Sequence, residues 1–212
     1  MRRVAELGDL AKTVARRSCN LREHVRGLAL PIGAPEDRII AYTAIEALNL
    51  WSEFVRSYYL SCCLGCRCRS GTPVTVGHGF TTIEAAIGFA VTTIKSSRKS
   101  SGPWTRRDEP DWKVPHTLLK MLEEIDASNL DMARTALSYQ TRVFKDLPTV
   151  RNFFAHRQED TAKKVVAVAH SNGMSSRRRP AELMCTRLPN HPQNLLAGWL
   201  DDIRIVAIEL CG

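Results

Sequence analysis

The sequence has no uninterrupted apolar stretch near the roughly 18 residues that a membrane-spanning helix needs, so no membrane partner is expected. It also lacks sustained two-residue alternation: only TPVTV at 72–76 reads as a half-buried strand, which argues against a sheet. A spaced disulfide framework is missing too. The seven cysteines are an odd number, and four of them crowd into Cys62, Cys63, Cys66 and Cys68, which favours a reducing compartment. The opening MRRVAELGDLAKTVARR carries charge where a secretory signal would be apolar, so the expectation is a soluble, cytoplasmic protein. No internal repeat is visible.

What is present is enough apolar side chain, 44% of 212 residues, to build a core. The net charge of +8 favours polyanionic partners, and arginine supplies 22 of the 30 basic residues, a fork suited to phosphate. Helical periodicity dominates, so the fold class is all-α, a single helical domain over 1–212. A first helix is expected over about 4–28, ended by PIGAP. A long second helix over about 36–61 carries the apolar stripe Ile40, Ala44, Leu48, Trp51, Val55 and Tyr58. A third is expected over 82–94, then a basic, exposed loop insertion over about 95–115 bearing Arg98, Lys99, Arg106 and Arg107. Helical pattern resumes over 116–125 and over 128–144, where Leu130, Ala133, Leu137 and Phe144 share a face. Asp146 and Pro148 then mark the start of a helix that carries RNFFAHRQED and runs to about His170. SNG at 171–173 stops it, SSRRRP at 175–180 reads as a loop, and a C-terminal helix over about 192–210 buries Leu195, Leu196, Trp199, Ile203, Val206 and Leu210.

The chemistry-bearing segment is Arg151, Asn152 and His156. Cleaving RNA through its own 2′-hydroxyl needs a base, an acid and positive charge on the phosphorane. An imidazole can serve as base or acid, a guanidinium can hold phosphate oxygens, and Asn152, four residues from His156, shares its helical face. Arg151 sits about 140° away on an ideal helix. The competing reading is structural: an arginine and a histidine around buried Phe153 and Phe154 that pair with Glu159 or Asp160.

R-N-x-x-x-H late in an all-helical chain resembles the HEPN superfamily, whose hallmark is Arg, a polar residue, then His near the start of a helix. The likeness spans roughly residues 36–170 in architecture. It implies an up-and-down bundle of about five to seven helices and a metal-independent endoribonuclease of single-stranded RNA that needs no cofactor. It also implies a toxin or antiviral-defence role, a cognate antitoxin or defence-system partner, and a homodimer that pairs two motifs. Gln158 stands where some members carry a tyrosine, so the likeness does not extend to control by adenylylation. Arg157 joins the four loop cations as a candidate RNA contact. For the homodimer, Trp199, Leu200 and Ile205 are expected to be spare on the far face of the last helix.

Other readings come from different classes. The chain can instead be a catalytically inactive helical module that binds RNA or protein, or an adaptor stabilised by zinc on Cys63, Cys66, Cys68 and His78. Cys62 and Cys63, close in sequence to Arg67 and Arg69, are also candidates for lowered thiol pKa. His24, His116, His170 and His191 stand alone. Glu46 reads as a paired or solvated carboxylate before a helper to His156.

Overall fold

A computed structural model describes residues 6–94, 103–139, 142–174, 178–187 and 192–212. Arg98, Lys99 and His191, and residues 175–177 of the expected loop, lie outside them. The described residues form nine helices and no strand: α1 Leu7–Arg26, α2 Ala34–Cys63, α3 Ile83–Ile94, α4 Pro115–Glu124, α5 Leu130–Ser138, α6 Val143–His156, α7 Glu159–Ser171, α8 Pro180–Met184 and α9 Leu195–Cys211. The fold is therefore all-α. TPVTV contributes only an isolated bridge, Arg67 to Pro73.

The long apolar stripes act as their spacing dictates. Ile40, Ala44, Leu48, Trp51, Val55 and Tyr58 along α2 are all buried, as are Leu195, Leu196, Trp199, Ile203, Val206 and Leu210 along α9. The last helix differs from expectation on its other side. Trp199 and Leu200 are buried, and Ile205, 45% exposed, is the one residue of the three left outward. Helix α9 buries apolar residues on more than one side and leaves outward only a narrow stripe with Asp202, Ile205 and Glu209.

The chain divides into two compact units, residues 1–14, 51–140 and 206–212 in the first and 15–50 and 141–205 in the second. In the first unit, Gly65 and Gly71 adopt positive φ, +81° and +89°, which ends α2 and turns the following loop. That loop is held by backbone bonds from Arg69 N–H to the Cys211 carbonyl, from Ser70 to Gly212, and from Leu7 to Arg67. Pro115 occupies the first turn of α4, where its missing N–H is harmless, and α4 packs on α5.

Of the insertion expected over about 95–115, residues 95–102 lie outside the described residues, Thr105, Arg106 and Arg107 are exposed, and the stretch just before α4 turns inward. Glu109, Pro110 and Trp112 are buried. Glu109 accepts two bonds from Arg56, at 2.6 and 2.9 Å, and one from the Trp112 indole at 2.8 Å. Trp112 lies against Tyr59 with ring centroids 5.1 Å apart, and the Trp51 indole donates to the Lys113 carbonyl at 3.1 Å. A single buried acid thus straps residues 109–113 onto α2, because its carboxylate satisfies both an arginine fork and an indole.

In the second unit α6 packs on α7 and α7 on α8. Two boundaries differ from the sequence reading. The helix expected over 128–144 ends at Ser138, so Phe144 belongs to α6. Helix α6 begins at Val143, placing Asp146 in its first turn and Pro148 inside it. Asp146 is buried and takes a 3.1 Å bond from the Asn172 amide, while Arg142 donates to the Ser171 carbonyl. The start of α6 is thereby tied to the end of α7.

Candidate functional site

The motif lies in the last two turns of α6, not at a helix start. The chain leaves α6 through Arg157, which caps it in the left-handed region at φ 52°, and α7 begins only at Glu159. The expected continuous helix to His170 is therefore two helices. Arg157 adopts a conformation that bulky residues usually avoid, and its side-chain contacts fit that departure. Its guanidinium spans the Asp37 carboxylate, at 2.8 and 3.2 Å, and covers the rings of Phe153 and Phe154 at 5.4 and 5.0 Å. Those two rings are buried and meet edge-on at 5.1 Å. The fork expected to face RNA is bound to Asp37 in the first turn of α2.

Burial of Phe153 and Phe154 sets the direction of the remaining side chains. Asn152 and His156 are exposed and Arg151 is half-buried. Asn152 and His156, four residues apart, share one face of the last turn; Arg151 and His156, five apart, are offset by about 7.5 Å and 140° on a regular helix. Among the described residues none of the three makes a hydrogen bond or ion pair through its side chain. The structural alternative of pairing with Glu159 is not seen, because Glu159 binds Lys163 at 2.9 Å. Most other arginines described here are engaged, among them Arg22, Arg56, Arg134, Arg179 and Arg204.

Beside the Arg157 cap lies a concavity of about 390 Å³ lined by Gly33, Asp37, Phe153, Arg157, Arg179 and Pro180. Arg179 donates to the Ile32 carbonyl at 2.6 Å and to Glu182 at 2.9 Å, and its hydrogen bonds hold the Glu182 carboxyl below the usual carboxylate range. The composition reading missed Asp37, Arg179 and α8. A signal was present: Arg179-Pro180-Ala181-Glu182 has proline at the first helical position and glutamate at the third, a helix-start pattern.

The remaining candidates separate. Of the loop cations, Arg106 pairs with Glu109 at 3.6 Å, and Arg107 is exposed. Glu46 accepts from Asn49 at 3.0 Å and faces Arg17 at 3.8 Å, a paired carboxylate. His78 stacks with Phe80 and lies tilted against Phe89, and among the described residues no three His, Cys, Asp or Glu side chains converge as metal ligands, so the set Cys63, Cys66, Cys68 and His78 is not assembled. The thiols also run opposite to the reactive reading: burial pushes Cys62 up, and pushes Cys63 up to about 12, because no cation compensates the lost solvation of a thiolate. Compared with known proteins, the chain matches no family model, no curated protein and no solved structure.

Proposed function

We propose that this chain is a metal-independent endoribonuclease of the HEPN kind, acting on single-stranded RNA as a toxin or antiviral-defence effector. The observation that carries the reading is the set of three unpartnered groups on α6, two of them exposed, in a molecule whose other arginines are mostly paired. A guanidinium, an amide and an imidazole left without protein partners are available to a phosphodiester.

In the proposed reaction the 2′-oxygen attacks the adjacent phosphorus while an imidazole takes its proton. The phosphorane charge is met by Arg151, and the bond to the 5′-oxygen breaks as that oxygen receives a proton from a protonated imidazole, leaving a 2′,3′-cyclic phosphate. Asn152 orients the imidazole or a non-bridging oxygen. The helical offset between Arg151 and His156 favours a cleft built from two copies, in which the arginine of one protomer serves the histidine of its partner. A cognate antitoxin or defence protein would cover the same exposed turn.

The test is cleavage of single-stranded RNA in EDTA. His156→Ala and Arg151→Ala are expected to lose about two to four orders of magnitude in rate while keeping the wild-type melting temperature. Mixing the two inactive variants is expected to restore part of the activity. Wild-type rates in either variant would overturn the reading.

A second reading, a catalytically silent module that binds RNA or protein through this turn, is favoured by the position of the motif at a helix end, where the family places it near a helix start. RNA retention without cleavage by the wild-type protein would select it.

A further inference from the structure

Within the second unit, three arginines from two distant stretches of sequence surround a concavity of about 320 Å³: Arg22 and Arg26 of α1, and Arg187 after α8. That volume stands at the lower end of the about 300–1,000 Å³ typical of small-molecule pockets. Asn194 fixes one wall. It is buried, donates to the Val25 carbonyl at 2.8 Å and accepts from the Ala197 N–H at 2.9 Å, so it binds the end of α1 to the start of α9. Arg22 is braced by a two-pronged contact with Asp201, at 2.9 and 3.2 Å, and Asp201 is held in turn by Gln193 at 2.7 Å. The other two cations are far less committed. Arg26 has a 3.5 Å contact to Glu23 and is two-thirds exposed, and Arg187, exposed, has no side-chain partner among the described residues.

A wall carrying one anchored guanidinium, a second held only by a 3.5 Å contact to Glu23 and a third without a side-chain partner among the described residues suits an oxyanion, because the free donors of Arg26 and Arg187 can meet it while Asp201 and Glu23 offset only part of the positive charge. Among the described residues the lining has no aromatic ring and only Pro192 and Ala197 as apolar members, so its described wall is mainly cationic and polar. We infer that this pocket binds the phosphate groups of a phosphorylated ligand, a diphosphate group or a terminal phosphate monoester, through Arg26 and Arg187 with Arg22 as the fixed third cation. The pocket shares no residue with the Arg151, Asn152 and His156 set, so the inference stands independently of the nuclease reading.

The experiment is calorimetric titration of the full chain with inorganic pyrophosphate at low ionic strength, beside the variants Arg26→Ser, Arg187→Ser and the double variant. Both side chains are exposed, so folding should be retained, which melting curves verify. Saturable one-to-one binding is expected, weakened about ten-fold by each substitution, as for a charged hydrogen bond lost. A control variant, Lys163→Ser, should bind as wild type does. Absence of binding to the wild type, or equal loss in the control and the double variant, overturns the inference. Two further titrations identify the source of the phosphate: ADP for a free nucleotide, and a short oligonucleotide with a 5′-phosphate against the same strand with a 5′-hydroxyl for a nucleic-acid end. Preference for either phosphorylated probe, lost in the double variant, supports the pocket.

Discussion

Removing the Glu109 carboxylate tests whether the strap before α4 is held by one acid. Glu109 is 6% exposed and serves Arg56 twice, the Trp112 indole once and Arg106 at 3.6 Å. In Glu109→Ala the Arg56 fork and the indole both lose their acceptor. Deleting one member of a buried pair costs about 3–5 kcal/mol, but Arg56 keeps a quarter of its side chain in water, which recovers part of this and leaves about 2–4 kcal/mol. For a chain of this size each kcal/mol lowers the melting temperature by about 2–4 °C, so a fall of about 5–15 °C is expected. Glu109→Gln keeps the volume and one acceptor and should lose about half as much. The assay is thermal and urea denaturation followed by circular dichroism and by tryptophan fluorescence, to which Trp51 and Trp112 at the strap contribute two of the four indoles. If the loss comes from a stranded guanidinium, adding Arg56→Met to Glu109→Ala should return part of it. A Glu109→Ala protein that melts within a degree of wild type would refute the reasoning, as would a double variant less stable than the sum of the two singles.

Two other outcomes follow from the same kind of argument. Because burial raises Cys63, Cys185 and Cys211 to about 12, each thiol stays protonated in the folded chain where the unfolded chain ionises it. Their stabilisation is complete below the unfolded value near 9 and is lost as pH rises from there toward 12, at about 1.4 kcal/mol per pH unit per thiol at most. Urea midpoints that hold constant from pH 8 to pH 11 would contradict this. At Arg157 the positive φ penalises any Cβ, so Arg157→Gly should be more stable than Arg157→Ala by about 1 kcal/mol, although both lose the Asp37 pair. The reverse order in urea denaturation would show that the left-handed cap is not what limits that position.

The stripes of α2 and α9 were legible because a regular apolar period leaves one solution, a buried face. Boundaries around α6 were not. Asp146 and Pro148 look like a helix start, yet α6 begins at Val143, and Asp146 is buried in its first turn with its carboxylate taken by Asn172. The break after His156 is set by a left-handed arginine whose guanidinium reaches Asp37, a long-range pairing with no local signature. Burial of Glu109 was hidden for the same reason, since its partner Arg56 lies more than a full helix away in sequence. The lowered thiol pKa considered as an alternative for Cys62 and Cys63 runs the other way on solvation: two arginines close in sequence do not offset an apolar surround that only the folded chain creates. Of the candidate site, the residue types and the shared face of Asn152 and His156 were readable, while their exposure and lack of partners required the fold.

The two compact units are each assembled from separated stretches of the chain, and the loop at Arg69 and Ser70 closes on the carbonyls of Cys211 and Gly212. The acceptors for that loop are therefore synthesised after the other eight described helices. Until then the first unit has an open seam, with loop-closure entropy still to be overcome across most of the chain. Neither unit is a single contiguous stretch, so no one cut of the chain releases an intact unit. Separating the Arg151, Asn152 and His156 turn from the rest must be done by substitution, because dissection would remove the helices that hold it.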